Sequence, residues 1–538
     1  MHLKRNTVKK NGKVYEYAKI VQSVRREDGQ VTQKVVKNLG RMKTEEDWER
    51  AESILEAMKK GEEVVKLKDV KIEKQLELGG IWAADDIWTE VGVGKAIRNS
   101  FAGRDFEYNI ERMAFLLAVN RLYDPGSDLA ARKWIDKRAY CQLEPEEQWV
   151  YRTGYRLADQ KDEIEEEIFQ NLRKNLNLSL NRVFYDLTSS YFEGKGPELA
   201  LFGYSRDHRP DRKQIVLGVV MMDGIPIAHR VWAGNTADKS TLEKSVKDLK
   251  ERFGIEDVTF VADRGVMSST NLGDLEDWGY DYILSMNRRK NKTAEKLLVK
   301  DVPGSDKVRA REVRSEGEKR YILCLNEERR KKDLEKLETV REECEKELEE
   351  LKKRYENSQE GRGRPMTKES TIKQAQNILG KNKRLYDIKF DETLEWELNE
   401  EAWQYEKDIA GKILLVSTDN LKPSKTLDEY KNLKDVEQAF DDLKNFLKLR
   451  PFHHNTDKGV RGHTFICILA LLLKKLMEKR TEKTFKKIMN ELEPLKANIL
   501  NVRGEKICQR NEITHSQEKI FESLDVETPP RMLVETKK

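Results

Sequence analysis

Four short runs of β-branched and aromatic residues lie within residues 182–263, and polar or turn residues bound each of them. Runs of this length and composition predict buried strands. In chain order the runs are 183–187, 215–222, 225–232 and 258–262. Asp223-Gly224 joins the second run to the third and predicts a two-residue hairpin turn, whereas a helical pattern near 241–252 separates the third run from the fourth.

Two carboxylates occupy distinctive positions in this series. Asp186 lies inside the first run, and Asp263 directly follows the fourth. Three antiparallel strands, a helix and a strand that ends in an aspartate form the order of a ribonuclease-H-like core, which holds metal ions between these two acids. A single strand aspartate is more often a turn or surface residue, so the prediction rests on the pair and its order. We therefore expect an α/β protein built on a ribonuclease-H-like mixed sheet.

The patterns on either side of this core predict several further domains. Asn11-Gly12 and Asp28-Gly29 are hairpin signals between short alternating runs that carry many Lys and Arg residues. We expect a basic β-meander at 1–43, a helical domain and candidate DNA-end binder at 44–174, the first part of the catalytic core at 175–299, an insertion at 300–422, the second part of the core at 423–500, and a tail at 501–538 that is loose from Val526.

The predicted insertion begins and ends with strand-like pieces at 320–325 and 412–417. Between them lies a charged helix whose apolar residues recur every three or four positions, which predicts a helical hairpin packed on itself or on a partner. That stripe consists of Leu334, Leu337, Cys344, Leu348, Leu351 and Tyr355. The following Arg362-Gly363-Arg364-Pro365 matches the core of an AT-hook, but one copy between helices favours a plain turn over a minor-groove contact.

Composition narrows the class of protein. The chain has 538 residues, 38% apolar and 37% charged, which is typical of a foldable soluble protein with several domains. A net charge of +5 is weak evidence for nucleic-acid binding by itself. The five cysteines lie far apart without a Cys-x-x-Cys pair, which favours a reducing compartment. The N-terminus lacks a signal-peptide core, and the apolar run at 465–473 is too short to cross a bilayer, so we expect a soluble, intracellular protein without a membrane partner.

A helical pattern at 430–444 carries the third candidate acid. Tyr430, Glu437 and Lys444 recur every seven residues, about two helical turns, so one helix would present all three along one stripe. Such a stripe can hold a metal ion at the carboxylate and DNA phosphates on either side of it. Any single glutamate of this kind is more often an ordinary surface residue. The spacing, together with the two strand aspartates, favours the functional interpretation.

Histidines follow this helix. His453-His454 and His463 invite a zinc interpretation, but no third and fourth ligand lies at a zinc-like spacing in the sequence. We therefore expect His454 and His463 to contact phosphate or to make structural hydrogen bonds.

The ordered motifs resemble those of DDE transposases from bacterial insertion sequences, specifically insertion-sequence family four and its branch numbered sixteen thirty-four. That family's signature for the third-acid helix is Tyr, two residues, Arg, three residues, Glu, six residues and Lys. Here Leu433 stands in place of the Arg, and the adjacent Lys434 could supply the charge. The matching blocks are 185–188, 202–211, 234–238, 261–265 and 430–444 followed by Arg450-Pro451.

The resemblance implies a metal-dependent enzyme of cut-and-paste transposition. Asp186, Asp263 and Glu437 would bind two Mg²⁺ ions, with Mn²⁺ as an expected substitute. The partners would be double-stranded DNA, both the terminal inverted repeats of the element and the target, and a second copy of the chain in a homodimer that pairs the two ends. The protein would be cytoplasmic, and nucleoid-associated when bound. Residues expected to contact DNA are Tyr430, Lys434, Lys444, Arg450, His454 and Arg264.

Some members of the family carry, in the insertion, a tryptophan that stacks on a flipped base. Trp396 and Trp403 are the candidates here, although ordinary packing is the commoner role for either. Two other functions remain alternatives: a ribonuclease-H-like DNA nuclease without strand transfer, and a DNA-binding protein whose active site has decayed. The sequence leaves open whether the element is released through a hairpin.

Overall fold

The computed structural model describes residues 1–62, 70–141, 143–176, 182–237, 239–255, 259–262, 269–289, 291–361 and 364–534. These residues form two units. The first unit comprises Met1–Leu78, Pro494–Thr514 and Pro529–Lys537, and the second comprises Gly79–Glu493 and His515–Thr528.

The described residues contain both strands and helices, numbered here in chain order. The strands are β1 His2–Lys10, β2 Lys13–Arg25, β3 Val31–Met42, β4 Val70–Glu77, β5 Arg182–Tyr191, β6 Gln214–Met222, β7 Ile225–Ala233, β8 Thr259–Ala262, β9 Asp281–Ser285, β10 Val308–Glu316, β11 Lys319–Asn326, β12 Tyr386–Phe390, β13 Leu394–Leu398, β14 Lys412–Ser417, β15 Lys496–Val502, β16 Glu505–Arg510 and β17 Met532–Leu533.

The helices are α1 Glu45–Lys59, α2 Gly79–Glu90, α3 Val93–Ser100, α4 Ile110–Tyr123, α5 Asp128–Lys137, α6 Glu147–Asp159, α7 Lys161–Leu176, α8 Lys239–Glu251, α9 Ser269–Asp277, α10 Lys292–Leu298, α11 Glu327–Glu360, α12 Lys368–Leu379, α13 Glu400–Asp408, α14 Pro423–Lys431, α15 Lys434–Asp441, α16 Asp457–Thr481, α17 Phe485–Leu492 and α18 His515–Leu524.

The first unit contains two antiparallel sheets. Strands β1, β2 and β3 form the predicted basic meander, and the turn residues Asn11 and Gly12 both adopt the positive φ angles that a tight hairpin requires. Helix α1 follows, and its N-cap Thr44 exchanges hydrogen bonds with Asp47 in a capping box. The second sheet has the strand order β17-β16-β15-β4, so it joins segments from opposite ends of the sequence.

The second unit is organised on a mixed sheet of eight strands with the order β10-β11-β14-β9-β8-β5-β6-β7. Strands β5, β6 and β7 are successively antiparallel, whereas β8 lies parallel to β5 and β9 lies parallel to β8. The hairpin turn between β6 and β7 is Asp223-Gly224, and both residues have positive φ. The predicted series of three antiparallel strands, a helix and a fourth strand is therefore present in an α/β fold.

The insertion extends this sheet instead of interrupting it. Strand β14 pairs with β9 and β11 pairs with β14, so both predicted strand-like pieces are confirmed as neighbours in one sheet. The apolar stripe of the 34-residue helix α11 packs against α12 and the β12–β13 hairpin. Trp403 is buried in this core and Trp396 packs against it, as the packing interpretation predicts. Arg362 and Gly363 of the candidate AT-hook lie outside the described residues.

The most apolar segment of the sequence lies in α16, which is buried along most of its length. It packs against α4 and α6 and against strand β7. This confirms the prediction of a buried helix at 465–473. Among the helices in the described part of the chain, none combines the length and apolar character that a membrane crossing requires.

Two segments differ from the sequence-based expectation. The segment expected to be helical contains strand β4, and the expected tail contains β16, α18 and β17. Strand β4 has only Leu76 and Glu77 buried, so its residues show little of the alternation that identifies a strand. Its pairing partner β15 lies more than 400 residues further along the chain, which local patterns do not report.

A buried network of charges joins α7 to β7 and α8. Glu165 accepts hydrogen bonds from the backbone N–H of His229 at 3.0 Å and from Lys161 Nζ at 2.6 Å, and Arg252 lies 3.2 Å away. Burial alone would raise the pKa of Glu165, but Lys161, His229 and Arg252 together lower that pKa well below its usual range. Burial also lowers the pKa of His229, so this ring is neutral at physiological pH. Glu165 is therefore the most buried anion of this network, and Asp162 and Asp248 contact the same cations from more exposed positions.

Replacing Glu165 with Gln tests this role. We expect Glu165→Gln to lower the free energy of unfolding by about 3 kcal/mol, because Lys161 and Arg252 lose their most buried partner. Asp162 and Asp248 remain as their more exposed partners. Glu166→Gln, at an exposed position on the same helix, should change it by less than about 0.5 kcal/mol. Urea unfolding of the three proteins at neutral pH measures both effects.

The loss of unfolding free energy in Glu165→Gln should also depend on pH in a defined direction. The folded-state pKa of Glu165 is lowered, so its contribution is present above the ordinary carboxylate pKa of 4.5 and is lost as the pH falls through the folded-state value. The difference between Glu165→Gln and the wild type should therefore shrink in acid. A difference that stays constant or grows as the pH falls would contradict the assignment.

Candidate active site

Asp186 lies on β5 with a buried neighbour on each side. Tyr185 and Leu187 point into the main hydrophobic core, and alternation along the strand turns Asp186 to the opposite face of the sheet. The Asp186 side chain is half-buried, and its Oδ1 accepts the backbone N–H of Leu187 at 2.8 Å. The strand thus holds a carboxylate at a fixed place on one face of the sheet.

Helix α15 brings the third predicted acid, Glu437, to this strand. Val436, Ala439 and Phe440 form its buried face, and the helix packs against β5. Glu437 is exposed on the same helix. The fold therefore places the strand of Asp186 and the helix of Glu437 side by side, although 251 positions separate the two residues in the sequence.

The remaining predicted acid, Asp263, and the neighbouring Arg264 lie outside the described residues. The strand before them is described: β8 pairs in parallel with β5, and its Val261 is the partner of Phe184. In the sequence, Val261 precedes Asp263 by two positions, and Phe184 precedes Asp186 by two positions.

The expectation of one continuous helix at 430–444 is wrong. Tyr430 lies in the last turn of α14, Glu437 lies in α15, and Lys444 lies in a π-helical turn at Asp442–Phe446. A π-turn has a wider repeat than an α-helix, so the seven-residue spacing no longer places Lys444 in line with the other two side chains. The predicted single stripe is therefore absent, because the helix also breaks at Asn432 and Leu433, between Tyr430 and Glu437.

Tyr430, Lys434 and Glu437 line a cleft of about 330 Å³. Tyr430 is half-buried, whereas Lys434 is exposed. Leu433, which occupies the position of the signature Arg, is 5% exposed and belongs to the hydrophobic core. The cleft thus combines three of the predicted site residues; Asp186 is not among the residues that line it.

Lys444 and Arg450 converge instead on Asp207. The Lys444 Nζ and the Arg450 Nη1 lie 2.7 Å and 2.6 Å from the same Oδ1 of Asp207, whose side chain is 2% exposed. Burial lowers the pKa of Lys444, although the carboxylate opposes that effect. Asp207 lies in the matching block 202–211, but nothing in the sequence pattern identifies it as the partner of residues more than 230 positions away.

The loop that carries Asp207 is fixed against β5 and β6. Ser189 on β5 accepts the backbone N–H of Arg206 at 2.8 Å, and the Gln214 side chain donates to the Tyr204 carbonyl at 2.8 Å. A Cβ atom at Gly203 would lie 1.9 Å from the carbonyl oxygen of Gly234, so only glycine fits at this position. The Asp207 loop is therefore a rigid part of the site.

His454 lies in a separate cavity of about 340 Å³, which Arg450 also lines. Asp128, His454 and His463 form a group whose potential ligand atoms lie within 4.8 Å of one another. Asp128 is the third ligand that spacing along the sequence does not reveal. However, Arg121 Nη2 lies 3.4 Å from His463 Nδ1 and 3.8 Å from Asp128, so a cation already contacts this group.

Both histidines of this group are held in the neutral form. Burial lowers the pKa of His454 and, more strongly, that of His463, and the nearby Arg121 acts in the same direction. A neutral imidazole pair with one carboxylate is a donor set of the zinc type and not the all-oxygen set that Mg²⁺ prefers. The group therefore differs in its chemistry from the predicted pair Asp186 and Glu437.

Comparisons with known proteins identify two segments of the chain. Residues 3–68 match the model of the IS1634 family transposase N-terminal domain, and residues 181–473 match the model of the transposase DDE domain. No curated protein sequence matches the chain. Among solved structures, the chain is similar to one described as a piggyBac transposase synaptic complex with hairpin DNA, with 11% identity, coverage of 77% of this chain and 78% of that chain, and a TM-score of 0.37. A TM-score at this level is too low to support an argument from that structure.

Asp207→Asn tests the buried ion cluster. The substitution leaves Lys444 buried without its anion, so we expect the free energy of unfolding to fall by about 3 kcal/mol. Asp211→Asn is the matched control in the same loop, because Asp211 is exposed and pairs only with surface arginines. It should change stability by no more than about 0.5 kcal/mol. Thermal unfolding of both variants measures these changes. Equal melting temperatures for Asp207→Asn and the wild type would show that the ion cluster does not stabilise the fold.

Proposed function

The chain belongs to the IS1634 family of DDE transposases, and from this premise we propose that it cuts the terminal inverted repeats of its own insertion sequence and joins the freed ends to target DNA. The observation that carries the proposal is the packing of α15 against β5, which brings together the elements of Asp186 and Glu437 inside the matched DDE segment. The proposal follows the cut-and-paste route that the sequence motifs imply.

The donor set of Asp186 and Glu437 fits Mg²⁺, with Mn²⁺ as a substitute. Both side chains are carboxylates, neither is fully buried, and Mg²⁺ prefers hard oxygen ligands while it retains several waters. We propose Asp263 as a further ligand beside them. Ions held there would supply Lewis-acid activation of the attacking oxygen and charge stabilisation at the leaving oxygen.

The remaining residues would position the DNA. In the cutting step a water oxygen forms a bond to phosphorus as the bond from phosphorus to the 3′-oxygen breaks, which leaves a 3′-hydroxyl. In the joining step the oxygen of that hydroxyl gives up its proton and forms a bond to a phosphorus of the target strand, as the bond from that phosphorus to its own 3′-oxygen breaks and the released oxygen takes up a proton. Tyr430 and Lys434 border the Glu437 cleft, where a phenol and an ammonium group can hold phosphate oxygens during both steps.

Lys444 and Arg450 would act as a pair with one shared counter-ion. Asp207 neutralises one of their two charges, so the cluster retains one positive charge for a phosphate. Arg450 and His454 line the adjacent cavity, and we propose that they contact the DNA backbone there. Arg264 stays a predicted contact that the described residues do not include. We further propose a homodimer that pairs the two DNA ends.

The two alternatives are distinguishable by their products. A nuclease without strand transfer would cut the terminal repeat and leave no joined product. A decayed DNA-binding protein would bind the repeat without cutting it. The presence of Asp186 and Glu437 on packed elements favours a working site over a decayed one.

Substitution of the two acids tests the proposed chemistry. We expect Glu437→Gln and Asp186→Asn each to reduce Mg²⁺-dependent cutting of a labelled duplex with the terminal repeat by at least about a hundredfold, because each removes a charged oxygen ligand. Duplex binding, measured by fluorescence anisotropy, should change by less than about threefold.

Asp435→Asn is the matched control. Asp435 is an exposed acid on the same helix, but it does not line the Glu437 cleft. This variant should cut and join as the wild type does. Cutting by Glu437→Gln at the wild-type rate would remove Glu437 from the metal site and leave the third acid unassigned.

A further inference from the structure

The cleft beside Glu437 is built from two distant parts of the chain. Its lining combines Tyr430, Lys434 and Glu437 with Arg288 and Arg329. Arg288 follows β9, and Arg329 lies in the first turn of α11 at the base of the insertion. The insertion therefore supplies part of the cleft in which the predicted metal ligand lies.

The charges along this cleft are strongly unequal. Its described lining contains four cationic side chains and one carboxylate, Glu437. The thiol of Cys324, also in the lining, is uncharged, because burial raises its pKa to about 12. The cations are Arg288, Arg329, Lys431 and Lys434. Two of these cations also pair with acids outside the lining, Arg329 with Asp333 and Lys431 with Asp428. The remaining excess of positive charge fits an anionic ligand, and the apolar side chains of the lining can contact its uncharged part.

Two hydrogen bonds in series orient the Arg329 side chain. Its Nε donates to Asp333 Oδ1 at 3.0 Å, and Asp333 Oδ2 accepts the backbone N–H of Gly411 at 3.1 Å. Gly411 has a φ of +68°, and a Cβ atom there would lie 2.6 Å from the carbonyl oxygen of Asn326. The close approach of these backbones fixes Asp333 and, through it, the direction of the Arg329 guanidinium.

The cleft has a volume of about 330 Å³, at the lower end of the range of about 300 to 1,000 Å³ for ligand sites. This is room for one nucleotide unit and not for a duplex. A guanidinium group binds a phosphate through two parallel hydrogen bonds, which an ammonium group does not do. The geometry and the charge therefore fit a single phosphodiester of a DNA strand.

We infer that Arg288 and Arg329 bind the phosphodiester next to the one that is cut, and so serve in place of the arginine that Leu433 replaces. The inference deepens the proposed function and rests on it. Leu433 is buried and has no charge, whereas the two arginines reach the same cleft from other elements. They are positioning residues, since they hold the strand while the acids act on it.

The test is the salt dependence of binding. The probe is a labelled duplex with the terminal repeat, and its equilibrium binding is measured by fluorescence anisotropy over a series of KCl concentrations. The binding constant K falls as the salt concentration rises, so the slope of log K against log[KCl] is negative. Each lost phosphate contact makes this slope shallower by about 0.9. We expect this loss for Arg329→Ala and for Arg288→Ala, and about twice this loss for the double variant.

Two further variants separate phosphate binding from folding. Arg329→Lys keeps one charge and should retain the wild-type slope. Lys331→Ala removes a charge two positions away on the same helix, at a side chain that is 81% exposed and outside the cleft lining, and should leave the slope nearly unchanged. Far-ultraviolet circular dichroism confirms that each variant is folded.

The outcomes for this inference and for the proposed function differ. Wild-type slopes for both alanine variants would overturn the inference, whether or not the protein cuts DNA. Reduced slopes in a protein that binds but never cuts the duplex would support the phosphate site and refute the transposase chemistry. Equal losses of slope for Lys331→Ala and Arg329→Ala would show general electrostatics instead of a built site, and would also overturn the inference.

Discussion

The packing of α15 against β5 is the contact on which the rest of the site depends. It joins the strand of Asp186 to the helix of Glu437 across an insertion of more than 100 residues. The insertion does not disturb this contact, because its strands β10, β11 and β14 extend the sheet on the far side of β9, and β14 is the direct hydrogen-bonded neighbour of β9. Helices α14 and α15 follow β14 at once.

Buried charges of the second unit are arranged so that one acid serves several cations. Glu165 is shared by Lys161 and Arg252, and Asp207 is shared by Lys444 and Arg450. An acid in such a position is costly to remove, since its partners remain buried. The two clusters differ in their setting: the first joins α7 to the sheet, whereas the second lies beside the predicted site and keeps a net positive charge. A buried acid shared by two cations thus stabilises the fold at Glu165, and at Asp207, we propose, it leaves a positive charge that binds phosphate.

The sequence predicts those features that local patterns encode. The strands and the Asp223-Gly224 turn follow from residue composition and turn chemistry, and the structure confirms them. Contacts between distant residues leave no such pattern: Asp207 with Lys444, Asp128 with His463, and the pairing of β4 with β15 are visible only in the fold. The prediction that Lys444 lies in line with Glu437 fails for a related reason. It requires a constant helical repeat, whereas the hydrogen bonding changes to a π-turn at Lys444.

The position of the bound metal tests the central claim most directly. Anomalous scattering from Mn²⁺ in crystals of the protein with a terminal-repeat duplex would locate the ions without reference to activity. The account predicts two peaks about 4 Å apart, within about 2 Å of carboxylate oxygens of Asp186 and Glu437. Peaks only at Asp128, His454 and His463, or at neither place, would contradict it.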